Sequence, residues 1–145
     1  MTEKLEIQFV KLNELSQLPK RNHKEDSGYD LYSPITCVIP AGKSIKINSG
    51  LQVAHITDNY WFRIESRSGL AVNHSIVAFN GIIDNLYRGE LGIKLFNHGD
   101  TDYKVNLGDR IAQMVIYKLY DSDLSFTDSI SETERNTNGF GSSGK

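Results

Sequence analysis

Apolar and polar residues alternate with a period of two through most of this chain, in short runs broken by Gly, Asn, Asp and Pro. Successive side chains of a strand point to opposite faces, so such runs predict half-buried β-strands. The runs are LEIQFVKL (5–12), TCVIP (36–40), SIKINSG continuing into LQVAHI (44–56), YWFRIES (60–66), SIVAFNG (75–81), ELGIKLFN (90–97), DYKVN (102–106) and RIAQMVIYKLY (110–120). Helical periodicity is confined to SGLAVNH, directly after Arg67, and spans two turns at most. Many short strands separated by turn residues, without an internal repeat, predict an all-β sandwich or barrel. After Tyr120 the pattern stops, and from Ser131 to Lys145 the only large apolar side chain is Phe140. A segment that buries so little apolar surface cannot offset the entropy of ordering it. The expected organisation is therefore a β domain over 1–130 and a mobile C-terminal arm over 131–145.

At 145 residues the chain is long enough to bury one core without disulfides. Sixteen Lys and Arg against eighteen Asp and Glu leave a net charge of -2, which removes bulk electrostatics as a reason to expect nucleic-acid or membrane binding. Cys37 has no partner for an internal disulfide, and His23, His55, His74 and His98 show no metal-ligand spacing. No run approaches the ~20 apolar residues of a membrane span, and the start resembles no signal peptide. A soluble, intracellular protein is expected.

Function in a β sandwich concentrates in loops and at strand ends, where polar and glycine residues interrupt the apolar alternation. In SGYDL (27–31), Asp30 follows Gly28 and Tyr29, as a turn residue or a functional carboxylate. RSGL (67–70) puts Arg67, Ser68 and Gly69 at the start of the one helical turn, where they offer a cation, a hydroxyl and backbone N–H groups to an anion; Ser68 as a simple N-cap is the plainer reading. NGIIDNLYRGELGI (80–93) joins two apolar arms and reads most simply as a β-hairpin turning at Asp84 and Asn85. Yet Asp84, Tyr87 and Arg88 fall within five positions, and a carboxylate, an aromatic platform and a guanidinium can surround a phosphorylated sugar. In GDRIAQ (108–113), Asp109 and Arg110 suit a structural ion pair, whereas Gln113 is a polar amide in an apolar row and needs solvent or a partner.

The last seven residues, GFGSSGK, fit the glycine-lysine core of a phosphate-binding P-loop. The polar SETERNTN before them cannot be the strand that delivers such a loop, and the metal-binding Ser or Thr after the Lys is missing. A polar glycine-serine tail is the plain alternative. Arg135, Phe140, Ser142 and Ser143 nevertheless bring together a cation, a stacking ring and hydroxyl donors, which are the means to close on a nucleoside polyphosphate. The tail reads as a lid.

Taken in order, SGYDL, RSGLA, GIIDNLYRG, GDRIAQ and RNTNGFGSSG resemble the five motifs of the trimeric dUTPase family, from Ser27 to Gly144. The resemblance implies a β jelly-roll-like sandwich, a homotrimer with sites between subunits, and hydrolysis of dUTP to dUMP and pyrophosphate, which keeps uracil out of DNA and supplies dUMP. It implies that Asp84 activates the water that attacks the α-phosphate and contacts the 3′-OH. Asn80, Gly81, Ile83 and Leu91 would line a uracil pocket that excludes the thymine methyl, and Tyr87 would sit beneath the deoxyribose and exclude a ribose. Arg67, Ser68, Gly69 and Gln113 would bind the phosphate chain. Asp30 would act through water on Mg²⁺ held by the triphosphate. Arg135, Phe140, Gly141, Ser142 and Ser143 would close from an arm donated across the trimer. The implied partners are the substrate and two further copies of the chain, with no direct nucleic-acid or membrane contact; the implied setting is cytoplasm, nucleus or an infected host.

The chain departs from the family's pattern at several positions. Ser27 stands where Ala is usual, Asn136 and Asn138 where Gly is common, Ser143 where Thr is usual, and Asn85 and Leu86 where acidic or polar residues are frequent. Asn tolerates left-handed backbone angles, so the arm retains its turns. Two rival readings differ in chemistry. A dCTP deaminase shares the fold and would use a glutamate such as Glu90, and a non-catalytic sandwich would keep the motifs as a binding surface.

Overall fold

The computed structural model describes residues 4–79, 81–141 and 144. Two four-stranded antiparallel sheets enclose the core, and a small two-stranded sheet closes one side. The first sheet has the order β1 (Ile7–Lys11), β4 (Ser44–Ile56), β8 (Glu90–Asn97), β6 (Ile76–Ala78). The second has the order β2 (Gly28–Tyr32), β10 (Arg110–Lys118), β5 (Tyr60–Glu65), β7 (Gly81–Ile83). β3 (Cys37–Ile39) pairs with β9 (Tyr103–Val105), and α1 (Ser68–His74) is the single helix among the described residues. Burial in Cys37 pushes its thiol pKa up.

Alternation decides which side chains meet between the sheets. Ile47, Leu51 and Val53 of β4 and Leu91, Ile93 and Leu95 of β8 face Leu31, Phe62, Ile64, Ile111 and Met114 of the second sheet, all buried in one cluster. Each such side chain contributes about 1.5–3 kcal/mol on leaving water. The register of β4 against β8 shifts between Asn48 and Gln52, where Gly50 takes φ 71. A Cβ there would lie 2.0 Å from Ser16 Oγ, which itself donates to Ser49 O at 2.7 Å. Buried Asn97 donates through Nδ2 to Ile39 O and Thr101 O and accepts from Gly99 N, each at 2.9 Å, tying β8 to the small sheet.

Three local expectations are corrected. SGYDL is not a turn but strand β2, with Leu31 in the core and Asp30 paired opposite Gln113 of β10. The arms of NGIIDNLYRGELGI do not form a hairpin with each other: β7 pairs with β5 in the second sheet and β8 with β4 and β6 in the first. The connection crosses between layers through a turn closed by Tyr87 N donating to Asp84 O at 3.0 Å. Asp109 and Arg110 do not pair with each other; Asp109 Oδ2 accepts from Asn106 N at 2.8 Å, while Arg110 turns to Asp30.

The helix begins at the expected residue but its cap differs. Arg67 is the N-cap, extended at φ -89 and ψ 131 with no side-chain cap bond, so Ser68 is the first helical residue and not the cap. Beyond β10 the described residues form no strand or helix through Gly141, and Leu124, Phe126, Ile130 and Phe140 are exposed.

Candidate active site

Three of the sequence clusters converge on one polar pocket of about 320 Å³, lined by Ser27, Gly28 and Asp30, by Arg67, Ser68 and Gly69, and by Arg110 and Gln113, with Asn22 and Asp26 at its side. Their convergence follows from register. Gln113 of β10 lies opposite Asp30 of β2 and Glu65 of β5, and the chain leaves β5 directly into Arg67. Because Ala112 and Met114 point into the core, Gln113 points out of the sandwich beside Asp30.

Asp30 organises the cations. Its Oδ1 accepts from Arg67 Nε at 3.0 Å, and its Oδ2 lies 3.8 Å from Arg110 Nη1. Arg67 Nη1 also donates to Arg110 O at 3.4 Å. Two guanidinium groups flank Asp30, and with Asp26 at the side the lining carries two cations and two carboxylates; what it offers a polyanion is fixed N–H donors from Arg67 and Arg110, not a net charge. Gln113 finds its partner in the main chain, with Nε2 donating to Ser66 O at 2.9 Å.

The glycines separate packing from access. A Cβ on Gly28 would lie 2.0 Å from Gln113 Oε1, so Gly28 makes room for that side chain. A Cβ on Gly69 or Gly81 would meet nothing within 4 Å. No contact within the chain demands glycine at those two positions, which leaves their backbone open to a ligand.

Asp84 and Tyr87 lie elsewhere. Asp84 follows Ile83, which pairs with Phe62, so it stands at the Trp61 end of β5, while Gln113 stands at the Glu65 end. Four residues of strand at about 3.3 Å each, with two strand spacings of about 4.8 Å between β7 and β10, separate them by on the order of 15 Å. Asp84 lines a different, apolar groove of about 750 Å³ with Trp61, Ile82, Leu86, Leu119 and Tyr120.

The turn that carries Asp84 is firmly held. Asn85 Nδ2 donates to Tyr60 O at 2.8 Å and to Thr57 O at 3.1 Å, and Arg88 Nη1 donates to Asn85 O at 2.7 Å and Tyr87 O at 2.9 Å. Arg88 thus holds this loop's own carbonyls together and is not offered to a phosphate. Tyr87 OH donates to Glu90 O at 3.2 Å, with its ring across Gly89, where a Cβ would lie 2.2 Å from the hydroxyl. Ile83 packs against the core, and Leu91 is fully buried, so Leu91 can meet a base only through its main chain. Asn80, Ser142 and Ser143 lie outside the described residues.

In the arm, Arg135 Nε donates to Asn138 O at 2.7 Å, and Asn136 takes the left-handed φ of 47 at a position where glycine is common. Phe140 is fully exposed beside Gly141, whose φ is 89. Sequence reasoning missed Arg110, which it assigned to Asp109, and Asn22 and Asp26. Only the strand register reveals Arg110, because its partner lies on β2.

An antiparallel β jelly-roll sandwich, with a polar pocket holding two arginines at one end of a sheet and a separate carboxylate–tyrosine turn, defines the class: an all-β protein with a candidate polyanion site. The dUTPase family model matches residues 14–144. The chain belongs to the dUTPase family. The deoxyuridine 5'-triphosphate nucleotidohydrolase of Crocosphaera subtropica is 42% identical over 142 residues, covering 97% of this chain and 99% of the relative. The dUTPase of Staphylococcus bacteriophage 80alpha with dUpNHpp superposes with a TM-score of 0.87 at 30% identity, covering 99% of this chain and 100% of the phage chain. A mutant dUTPase from phage phi11 of S. aureus, described for its coordination of a structural Mg(II) ion, gives a TM-score of 0.78 at 28% identity over 90% of this chain and 100% of its own.

Proposed function

We propose that this chain hydrolyses dUTP to dUMP and pyrophosphate, with Asp84 as the base that activates the attacking water at the α-phosphate. The convergence of Asp30, Arg67, Ser68, Gly69 and Gln113 on one polar pocket is the observation that carries the reading. Arg67, Ser68 and Gln113 bind the phosphate chain there, and Gly69 lets its backbone approach. Gly81, Ile83 and the main chain at Leu91, with Asn80, bind uracil, and Tyr87 packs beneath the deoxyribose.

The reading needs more than one copy of the chain. Asp84 stands on the order of 15 Å from Gln113 by strand geometry, too far to act on a phosphate bound beside it. A homotrimer in which Asp84 and Tyr87 of one copy meet the Arg67 pocket of the next brings them together. Residues 131–145 form an arm separate from the β domain, and Arg135, Phe140, Gly141, Ser142 and Ser143 close it over the triphosphate and exclude water. The absence of strand or helix among the arm's described residues and the exposure of Phe140 support this.

Among the described residues no three His, Cys, Asp or Glu side chains gather as metal ligands. Asp30 already meets two guanidinium groups, which suits a contact through water to Mg²⁺ carried by the triphosphate and does not suit direct ligation. When bound, the ion supplies charge neutralisation on the phosphate chain. No helix of the described residues is long and apolar enough to cross a membrane, and an intracellular setting suits a nucleotide substrate.

The test follows pyrophosphate release from dUTP, dTTP, dCTP and UTP with Mg²⁺, for the wild type and Asp84→Asn. Turnover of dUTP alone, abolished by the substitution, is expected. Release of ammonia from dCTP would make the protein a deaminase, and an absence of any turnover would make it a binding module.

A further inference from the structure

We infer that Ser66 is a positioning residue for base recognition, its hydroxyl fixing the main chain that leads into the proposed uracil pocket; this rests on the dUTP reading above. Ser66 stands one residue before RSGLA and belongs to none of the five motifs. It follows the last residue of β5, in the second sheet, yet its side chain reaches β6, in the first. Its Oγ accepts from Ala78 N at 2.9 Å and donates back to Ala78 O at a longer 3.4 Å.

Register explains why Ala78 needs that hydroxyl. Among the described strands β6 pairs with β8 alone and forms the edge of its sheet. Phe79 N donates to Lys94 O at 2.8 Å and His98 N donates to Ser75 O at 2.9 Å, so the odd-numbered residues here turn their main chain toward β8. Ala78, lying between them, turns its N–H and C=O away from β8 to the open edge, although the residue is buried in the core. A buried N–H left unpaired is costly, and only a group that both accepts and donates can serve the two main-chain atoms of one residue. Ser66 supplies that group from the opposite sheet.

The clip lies where the chain enters the base pocket. Phe79, Asn80 and Gly81 follow Ala78, and Gly81 pairs with Ile64 of β5, two residues before Ser66. The passage from the first sheet to the second is thus pinned at Ala78 by a side chain and at Gly81 by a strand pair. A wall held at both ends resists drawing back to admit the methyl group that distinguishes thymine from uracil. One such group in a close-fitting pocket is worth roughly 10–200-fold in discrimination, so a wall free to yield forfeits about tenfold or more. The main chain of Ser66 has a separate task on the phosphate side, where its carbonyl accepts from Gln113 Nε2 at 2.9 Å. Removing the hydroxyl leaves that carbonyl in place, so one substitution separates the two tasks.

The test compares Ser66→Ala and Ser66→Thr with the wild type by kcat/KM for dUTP and dTTP, by inhibition of dUTP turnover with inorganic triphosphate, and by amide hydrogen exchange at Ala78. Ser66→Ala is expected to lower the preference for dUTP over dTTP about tenfold or more and to speed exchange at Ala78 by a similar factor, with inhibition by triphosphate changed less than about twofold. Ser66→Thr, which keeps the hydroxyl, is expected to keep both the preference and the slow exchange. An unchanged preference in Ser66→Ala overturns the inference and leaves the dUTP reading standing. A loss of preference matched by an equal loss of triphosphate inhibition also overturns it, because a general loosening of the fold would weaken both ends. Should Ser66→Ala fail to fold, Ser66→Cys, whose thiol is a weak donor and acceptor, takes its place with the same expectations. A wild type that turns over no dUTP overturns the dUTP reading itself, and the inference with it.

Discussion

Gly28→Ala isolates the packing that shapes the phosphate pocket. The new methyl would sit 2.0 Å from Gln113 Oε1, 2.9 Å from its Cδ and 3.2 Å from its Cβ. The amide end must swing away, which breaks the 2.9 Å bond from Gln113 Nε2 to Ser66 O. Loss of that bond costs about 1 kcal/mol, and accommodating the methyl against the Cβ costs about 1 kcal/mol more. A total of about 2 kcal/mol corresponds to a Tm lower by roughly 4–8 °C in a domain of this size. Gln113→Ala alone removes the bond and costs about 1 kcal/mol. In the double variant the bond to Ser66 O is lost only once while the methyl still meets the Cβ at position 113, so its stability should lie close to that of Gly28→Ala, with a coupling of about 1 kcal/mol. The assay is urea unfolding of the four proteins at one fixed protein concentration, because assembly contributes to stability. Turnover of dUTP should fall in all three variants, since Gln113 is displaced or absent in each. Costs that add, or a Gly28→Ala protein with full activity, would refute the account of this contact.

Asn85→Asp replaces two donations to main-chain carbonyls with a carboxylate facing Tyr60 O and Thr57 O, at a destabilisation of about 1–3 kcal/mol. Because that turn carries Asp84, kcat should fall at least tenfold with KM changed little; an unchanged kcat would show that the anchor does not position Asp84. Deleting residues 131–145 should leave circular dichroism and assembly intact and remove most turnover; a truncated protein with full activity would defeat the lid. Asn136→Gly should be tolerated by the arm because Asn136 already takes φ 47, so arm closure measured by stopped-flow with a non-hydrolysable triphosphate should change less than threefold.

Local pattern was enough to read the long strands. β4, β8 and β10 fall within the runs 44–56, 90–97 and 110–120, although Ser49–Leu51 in β4 and Ile111–Ala112 in β10 break the strict alternation, and α1 begins at Ser68 and ends at His74, as its short helical pattern indicated. β2 was hidden because Gly28 and Asp30 carry turn signals, although Leu31 between Asp30 and Tyr32 keeps strand periodicity. What decides there is pairing with β10, which sequence-local propensity does not contain. The same limit explains the hairpin reading of residues 80–93. Two apolar arms joined by Asp84 and Asn85 look like mutual partners until β5 and β4 compete for them. Chemistry was legible as residue types within motifs, so Asp30, Arg67 and Gln113 could be singled out. That Asp30 takes Arg110 as well as Arg67, and that Asp84 stands apart from all three, depends on the register of strands far apart in the chain.

The central claim is that Asp84 and Arg67 act on one substrate from different copies of the chain, and subunit mixing tests it most directly. Asp84→Asn and Arg67→Gln should each be inactive alone. Mixed in equal amounts, dissociated and allowed to reassemble, they should regain about one quarter of wild-type turnover, because half the copies supply an intact Asp84 and, independently, half the neighbours supply an intact Arg67. No recovery in reassembled mixed trimers would contradict it, since a site contained within one chain would carry a defect in every copy.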